Sequence, residues 1–196
     1  METVQPESQL QQPIPVEKKY TWRHFILDLR EIILLAVLLV GINAVFAKVR
    51  VDGSCMRPTL QDNEKVLVNR LAYKFERMPQ RGDIIVFRFP MDPREDLIKR
   101  VIGLPGEEVS IQDSRVIVNG SILDEPYIAA SPAYAGKWSV PEDHLFVLGD
   151  NRNDSSDSHS WGFVPIRNVV GKAVLIYWPP LAWNLIDYTR VAIAAP

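Results

Sequence analysis

The sequence predicts a mainly β protein, built of folded-over or barrel-like antiparallel sheets and preceded by a single transmembrane helix. Three observations carry this. Residues 32–47 are apolar apart from Asn43 and are bounded by Arg30-Glu31 and Lys48. Beyond them the chain breaks into short Val- and Ile-rich runs separated by Gly, Pro, Asn and Asp, which is the punctuation of strands and turns. Asn119-Gly120, set between Val116-Ile117-Val118 and Ile122-Leu123, signals a type I′ hairpin.

Taken in order, residues 1–20 are rich in Gln, Pro, Glu and Ser without apolar periodicity, and read as a disordered tail. Residues 21–48 read as a membrane anchor with its span at 32–47. That run falls short of the roughly 20 residues usual for a span, and snorkelling of Arg30 and Lys48 makes up the difference. A cleaved secretory signal is disfavoured, because no small-x-small site precedes a plausible mature start and strand-like sequence begins at Val49. Lys18, Lys19, Arg23 and Arg30 precede the run while Lys48, Arg50, Arg57 and Lys65 follow it, so basic residues alone set no orientation.

Residues 49–180 form one β-rich domain, with strands expected at 65–71, 83–89, 97–103, 108–112, 115–118, 145–148 and 172–178. The final segment, 181–196, carries Trp183, Leu185, Ile186, Tyr188, Val191 and Ile193. It is too short to span a membrane and reads as a packed terminal element rather than an interfacial one.

A net charge of −2 provides no electrostatic footprint for nucleic acid. The single cysteine excludes an intrachain disulfide, which leaves Cys55 to be read as a reactive thiol. Neither a Gly-rich phosphate loop nor metal-ligand spacing is visible, so no cofactor and no metal are expected.

The most informative segments are three. Gly53-Ser54-Cys55-Met56-Arg57-Pro58-Thr59-Leu60 comes first, then Asp96-Leu97-Ile98-Lys99-Arg100-Val101-Ile102-Gly103-Leu104-Pro105-Gly106. The third runs Gly149-Asp150-Asn151-Arg152-Asn153-Asp154-Ser155-Ser156-Asp157-Ser158-His159-Ser160-Trp161-Gly162-Phe163-Val164-Pro165. In this order, across residues 31–180, they resemble the type I signal peptidases, a family of Ser/Lys-dyad membrane peptidases. The family places serine where this chain has Cys55.

The resemblance implies a peptidase fold of β-sheets and a catalytic pair of Cys55, as nucleophile, and Lys99, as general base. Ser155 would orient the lysine amine and Asp157 would support the site. The apolar Val49, Val51, Leu60 and Ile98 would shape shallow substrate pockets that admit alanine and exclude bulk. Implied partners are the signal peptides of secretory preproteins, the lipid bilayer and the nearby translocation machinery. The implied location is a bacterial plasma membrane or a thylakoid-type membrane, crossed once, with the N-terminus cytoplasmic and the catalytic domain on the external or lumenal face.

The chemistry of the residues is consistent with these roles. A lysine works as a base only when neutral, and its apolar neighbours Ile98, Val101 and Ile102 suit a dry setting. A hydroxyl such as Ser155 holds an amine without adding the negative charge that would keep it protonated. His159 stands where the family usually has arginine, which gives Asp157 a titratable partner. The oxyanion would be held by the Cys55 N–H. Some members add a hydroxyl two residues before the nucleophile, where this chain has Gly53. Sulfur eases deprotonation but is the better leaving group, which favours collapse of the adduct back to substrate. Two alternatives stay open: a catalytically dead protein that binds signal peptides, and a thiol peptidase with His159 as base to Cys55.

Overall fold

The computed structural model describes residues 22–75 and 77–186. The tail at 1–20 and the chain beyond Ile186 lie outside the described residues. Two compact units divide the chain, residues 1–40 and residues 41–196.

Helix α1 runs Trp22–Val45. Its apolar residues are exposed around its whole circumference, from Ile32 through Ile33, Leu34, Leu35, Val37 and Leu38 to Val40. Phe46 and Ala47, assigned to the span by hydropathy, instead open strand β1 (Phe46–Arg50), where they lie opposite Asn69 and Val68. Cross-strand pairing outweighs apolar continuity there, because both residues find backbone partners and Ala47 reaches the core. The helix therefore loses two apolar residues at one end while Asp28, Arg30 and Glu31 limit it at the other. No helix among the described residues is long and apolar enough to cross a membrane.

The β unit follows with β2 (Lys65–Asn69), β3 (Ile84–Arg88), β4 (Asp96–Gly103), β5 (Glu108–Gln112), β6 (Arg115–Val118) and β7 (Ser121–Ile122). Then come β8 (Gly136–Ser139), β9 (His144–Leu148), the single-turn α2 (Ser158–Trp161), β10 (Val164–Pro165), β11 (Val169–Trp178) and β12 (Asn184–Leu185). One sheet has the order β1-β2-β11-β3-β4-β9-β10, with β12 also on β11, and a second has the order β7-β6-β5-β8. Every pairing is antiparallel. The expected mainly β architecture of antiparallel sheets is present.

Each of the seven expected strands forms, β5 and β6 with the expected bounds and the other five with shifted ends. The first stops at Asn69 because its side-chain Oδ1 accepts the Leu71 N–H and turns the chain. At the hairpin, Asn119 and Gly120 both take positive φ, 50° and 82°, and Val118 faces Ser121 across the two-residue loop. That is the geometry a type I′ turn requires. Strand β8 is not legible in Gly-Lys-Trp-Ser. It forms because β5 offers an edge, and because the Trp138 ring folds back over Gly136, where an added Cβ would lie 2.3 Å from the ring.

Strand β3 is buried along four successive residues. Ile84 and Val86 enter one apolar cluster with Met56, Leu60 and Val66, while Ile85 and Phe87 enter another with Val101 and Val147. Burial on both faces explains its continuous Ile-Ile-Val-Phe run, where a half-exposed strand would alternate. Of the C-terminal segment, Ile186 packs into the first cluster. Ala182 packs against the same cluster, whereas Leu181, Trp183 and Leu185 point to solvent, so the expected packing is made by two described residues and the neighbouring apolar groups are left exposed.

Candidate active site

Cys55 sits in the turns that follow β1, where Arg57 N–H donates to the Ser54 carbonyl and Leu60 N–H to that of Met56. The flanking Met56 and Leu60 are fully buried and anchor these turns in the core. Lys99 is the fourth residue of β4 and only 3 % exposed. Its Nζ lies 3.1 Å from Cys55 Sγ and 3.2 Å from the Ile98 carbonyl oxygen. The fold thus joins the first and second motifs at the atoms the chemistry needs. No carboxylate pairs with Lys99 among the described residues.

The third motif wraps this pair. Asn151 N–H donates to the Cys55 carbonyl at 3.0 Å, and its Nδ2 donates to the Ser54 carbonyl at 3.2 Å. Ser54 Oγ donates to Asp154 Oδ2 at 2.5 Å. These bonds clamp the backbone at Ser54 and Cys55, and they engage the Ser54 hydroxyl with Asp154. The Cys55 N–H donates to no protein group among the described residues, which leaves it available to an oxyanion.

Ser155 Oγ is buried and has no hydrogen-bond partner among the described residues. The bond to Lys99 anticipated from the sequence is not made, and the amine turns to the Ile98 carbonyl instead. Asp157 is fully buried. One of its oxygens accepts the Gly149 N–H at 2.9 Å; the other caps α2 through the His159 N–H and lies 2.6 Å from His159 Nδ1. Asp157 therefore ties both ends of the loop that carries Ser155. His159 stacks on Tyr134 with ring centroids 4.0 Å apart. Its Nδ1 is engaged with Asp157, and it makes no bond to Cys55 among the described residues. Burial pushes the Tyr134 hydroxyl above its ordinary pKa, with Asp157 adding to the effect.

Of the four expected pocket residues, Val51 and Leu60 are fully buried, Ile98 is 7 % exposed and Val49 is partly buried. All lie in or against the cluster that also receives Cys55. Val51 and Leu60 thus form a floor beneath the site rather than an open wall.

A buried ionic lattice next to Cys55 and Lys99 was not anticipated. Arg100 donates to Asp150 through Nε at 2.8 Å and Nη2 at 2.6 Å, and Thr59 Oγ1 donates to the same carboxylate at 2.5 Å. One residue from each motif meets here. Arg100 lies 3.9 Å over the Tyr127 ring, and Arg152 donates twice to Glu125, at 2.6 and 2.5 Å, and once to the Gly149 carbonyl. Burial opposes the Arg152 charge, but Glu125 outweighs it and holds the guanidinium above its ordinary pKa. Burial also pushes the Tyr127 phenol up, reinforced by Glu125, so the ring stays neutral beneath Arg100. The signal in the sequence was an arginine set among Ile98, Val101 and Ile102, since a charge in an apolar strand must be paired.

Gly149 is where these groups crowd together. An added Cβ would lie 2.2 Å from Ser155 Oγ and 2.5 Å from the Cys55 carbonyl oxygen. The serine could rotate, but the backbone carbonyl has little room to retreat. Gly149→Ala is expected to lose about 1–3 kcal/mol of stability through overpacking and to lower turnover further by displacing Cys55. Thermal unfolding together with peptide cleavage checks this, and a variant with wild-type values in both would show the contact to be soft.

Comparison with known proteins supplies the context for this geometry. Residues 23–178 match the family model described as "Signal peptidase, peptidase S26". The chain is 45 % identical over 168 residues to "Probable signal peptidase I-2" of Synechocystis sp., covering 81 % of this chain and 74 % of the relative. It is 46 % identical over 156 residues to "Signal peptidase I" of Leptolyngbya laminosa, covering 74 % and 76 %. A crystal structure of a signal peptidase I from Enterococcus faecalis superimposes with a TM-score of 0.46 at 37 % identity, covering 48 % of this chain and 96 % of that one. With a family match across the whole region that holds Cys55, Lys99 and the Gly149–Asp157 loop, the chain belongs to the signal peptidase family, peptidase S26.

Proposed function

We propose that this chain is a membrane-anchored endopeptidase that removes N-terminal signal peptides from exported proteins after a small-x-small site, with Cys55 as nucleophile and Lys99 as general base. The observation that carries the reading is the 3.1 Å approach of Lys99 Nζ to Cys55 Sγ at a nearly dry position. Lys99 takes the thiol proton, and the thiolate attacks the scissile carbonyl carbon while the Cys55 N–H receives the developing oxyanion. Collapse breaks the C–N bond and the leaving amine takes the proton from Lys99. Water, deprotonated by Lys99 Nζ, then attacks the thioester carbonyl, the C–S bond breaks to release the acid, and the Cys55 thiolate takes the proton back from Lys99. The Ile98 carbonyl accepts the Lys99 amine in this structure; Ser155, whose buried hydroxyl has no partner among the described residues, is assigned to orient that amine during turnover, and Asp157 keeps its loop closed.

An extended peptide suits this site. Strand β1 is first in its sheet, so its outer edge offers backbone groups for strand addition and leads toward Cys55. Of the four expected pocket residues, Val49 and Ile98 are the less buried, and Val51 and Leu60 are fully buried. Helix α1 supplies the anchor, because an all-round exposed apolar surface is stable only against lipid or a partner, and Arg30 extends its reach by snorkelling. Exposed Trp178, Leu181, Trp183 and Leu185 suit a catalytic unit that works at a membrane surface. The proposed layout is a tail at 1–20, an anchor whose helix ends at Val45, a peptidase domain that opens with β1 at Phe46, and a terminal segment from 181. The single pass, the external or lumenal placement of the catalytic unit and proximity to the translocation machinery belong to the same reading.

Cys55→Ser is the direct test. It is expected to raise turnover about tenfold or more, because the alkoxide is the poorer leaving group and the adduct partitions forward. Single-turnover cleavage of a small-x-small signal peptide in detergent measures it. A serine form no faster than the cysteine form would show a site adapted to sulfur. Peptide binding by both forms with cleavage by neither would make the chain a binding protein.

A further inference from the structure

Away from the dyad, four cations surround one hollow. Arg70, Lys74, Arg88 and Arg167 line a cavity of about 460 Å³ in which Asp96 is the one acid. All four are exposed, and none takes part in an ion pair among the described residues. On a chain whose net charge is −2, this concentration of positive charge focuses the field on one spot. The floor is tied down by Asn168, whose Nδ2 donates to the Arg88 carbonyl at 3.2 Å. Three guanidinium groups and an ammonium present many N–H donors, the complement of a phosphate monoanion or diester.

The place of the hollow says where such a phosphate comes from. Arg70 directly follows β2, and its N–H donates at 2.9 Å to the carbonyl of Val45, the last residue of α1. The neighbouring Asn69 lies opposite Phe46, the first residue of β1. Arg70 therefore stands at the point where the chain passes from the apolar helix into the sheet, and the hollow it lines with Lys74, Arg88 and Arg167 opens from there. Resting on the reading of α1 as the anchor, that point lies at the level of the lipid headgroups. We propose that this hollow binds the phosphate of an anionic lipid headgroup and so seats the catalytic unit on the bilayer. Salt weakens but does not abolish the contact, because part of it is direct hydrogen bonding.

The test uses the full chain reconstituted into vesicles of phosphatidylcholine alone or mixed with phosphatidylglycerol. Quenching of tryptophan fluorescence by brominated forms of either lipid gives the relative association constant, and resistance to alkaline carbonate extraction from neutral vesicles reports the anchor independently. The full chain is expected to prefer phosphatidylglycerol, and each of Arg70→Gln and Arg167→Gln to lower that preference roughly fivefold. Lys137→Gln, which removes an exposed cation paired with Glu108 on the smaller sheet, is expected to leave it unchanged. Equal association with both lipids by a chain that resists extraction would overturn the lipid site while the anchor stands. Extraction from neutral vesicles would overturn the anchor and the placement of the hollow with it. Loss of the preference in Lys137→Gln to the same degree would reduce the effect to general charge. Abolition of the preference by inorganic phosphate at the concentration of the lipid headgroups would make the hollow a soluble-anion site.

Discussion

Lys99→Met is expected to abolish signal-peptide cleavage and to leave the fold standing. The side chain is 3 % exposed and its amine contacts Cys55 Sγ and the Ile98 carbonyl oxygen. Methionine keeps most of the apolar stem that fills this position. With no carboxylate paired to Lys99 among the described residues, the change leaves no buried counter-charge stranded, and a structural loss of more than about 1.5 kcal/mol is not expected. The chemical loss is of another order, since a positioned general base contributes about a hundred- to ten-thousandfold. Single-turnover cleavage by the Cys55→Ser form with and without Lys99→Met, alongside thermal unfolding of both, separates the two effects. His159→Ala serves as the comparison, expected to lower the rate less because His159 reaches the site only through Asp157. Full activity in the methionine form with loss in the alanine form would replace the lysine base with a histidine.

Asp150→Leu should be the most destabilising single change in the lattice beside the dyad. The carboxylate is fully buried and takes two bonds from Arg100 and one from Thr59. Its removal leaves the guanidinium buried without a carboxylate from this pair, keeping its bonds to the Gly82 carbonyl at 2.9 Å and Thr59 Oγ1 at 3.4 Å and its stack on Tyr127. Breaking one side of a buried pair costs about 3–5 kcal/mol, which for a chain of this size is a fall in Tm of roughly 6–20 °C. Replacing both partners, Asp150→Leu with Arg100→Met, should recover most of that loss, because no uncompensated charge remains. Thermal unfolding of the single and double variants decides the matter. A double variant as unstable as the single one would mean that the pair holds the motifs together by geometry rather than by charge balance.

The strands were legible because β-branched runs and turn residues are local signals, and β5 and β6 keep their predicted bounds. The Asn119-Gly120 turn was legible for the same reason, since a positive φ at both positions is a demand on residue type. Strand β8 was not, because its pairing depends on an edge supplied by β5 and on a tryptophan lying over a glycine. Helix α1 shows the reverse effect. Hydropathy extends the apolar run through Ala47, yet the demand of β2 for a partner converts Phe46 and Ala47 to strand.

For the site, residue types and order already pointed to Cys55 and Lys99, because a nucleophile and a lysine flanked by apolar residues are chemical signals carried by the chain itself. What only tertiary structure decided is which atoms meet. It brought Lys99 Nζ to Cys55 Sγ, turned the amine to Ile98 rather than Ser155, and engaged the Ser54 hydroxyl with Asp154. It also sank Val51 and Leu60 beneath the surface and joined Thr59, Arg100 and Asp150 across three separate motifs. The reason is physical. Residue type and spacing determine what a segment can form, whereas hydrogen-bond partners and burial depend on side-chain packing between segments that are 40 to 100 residues apart, as Cys55–Lys99 and Ser54–Asp154 are.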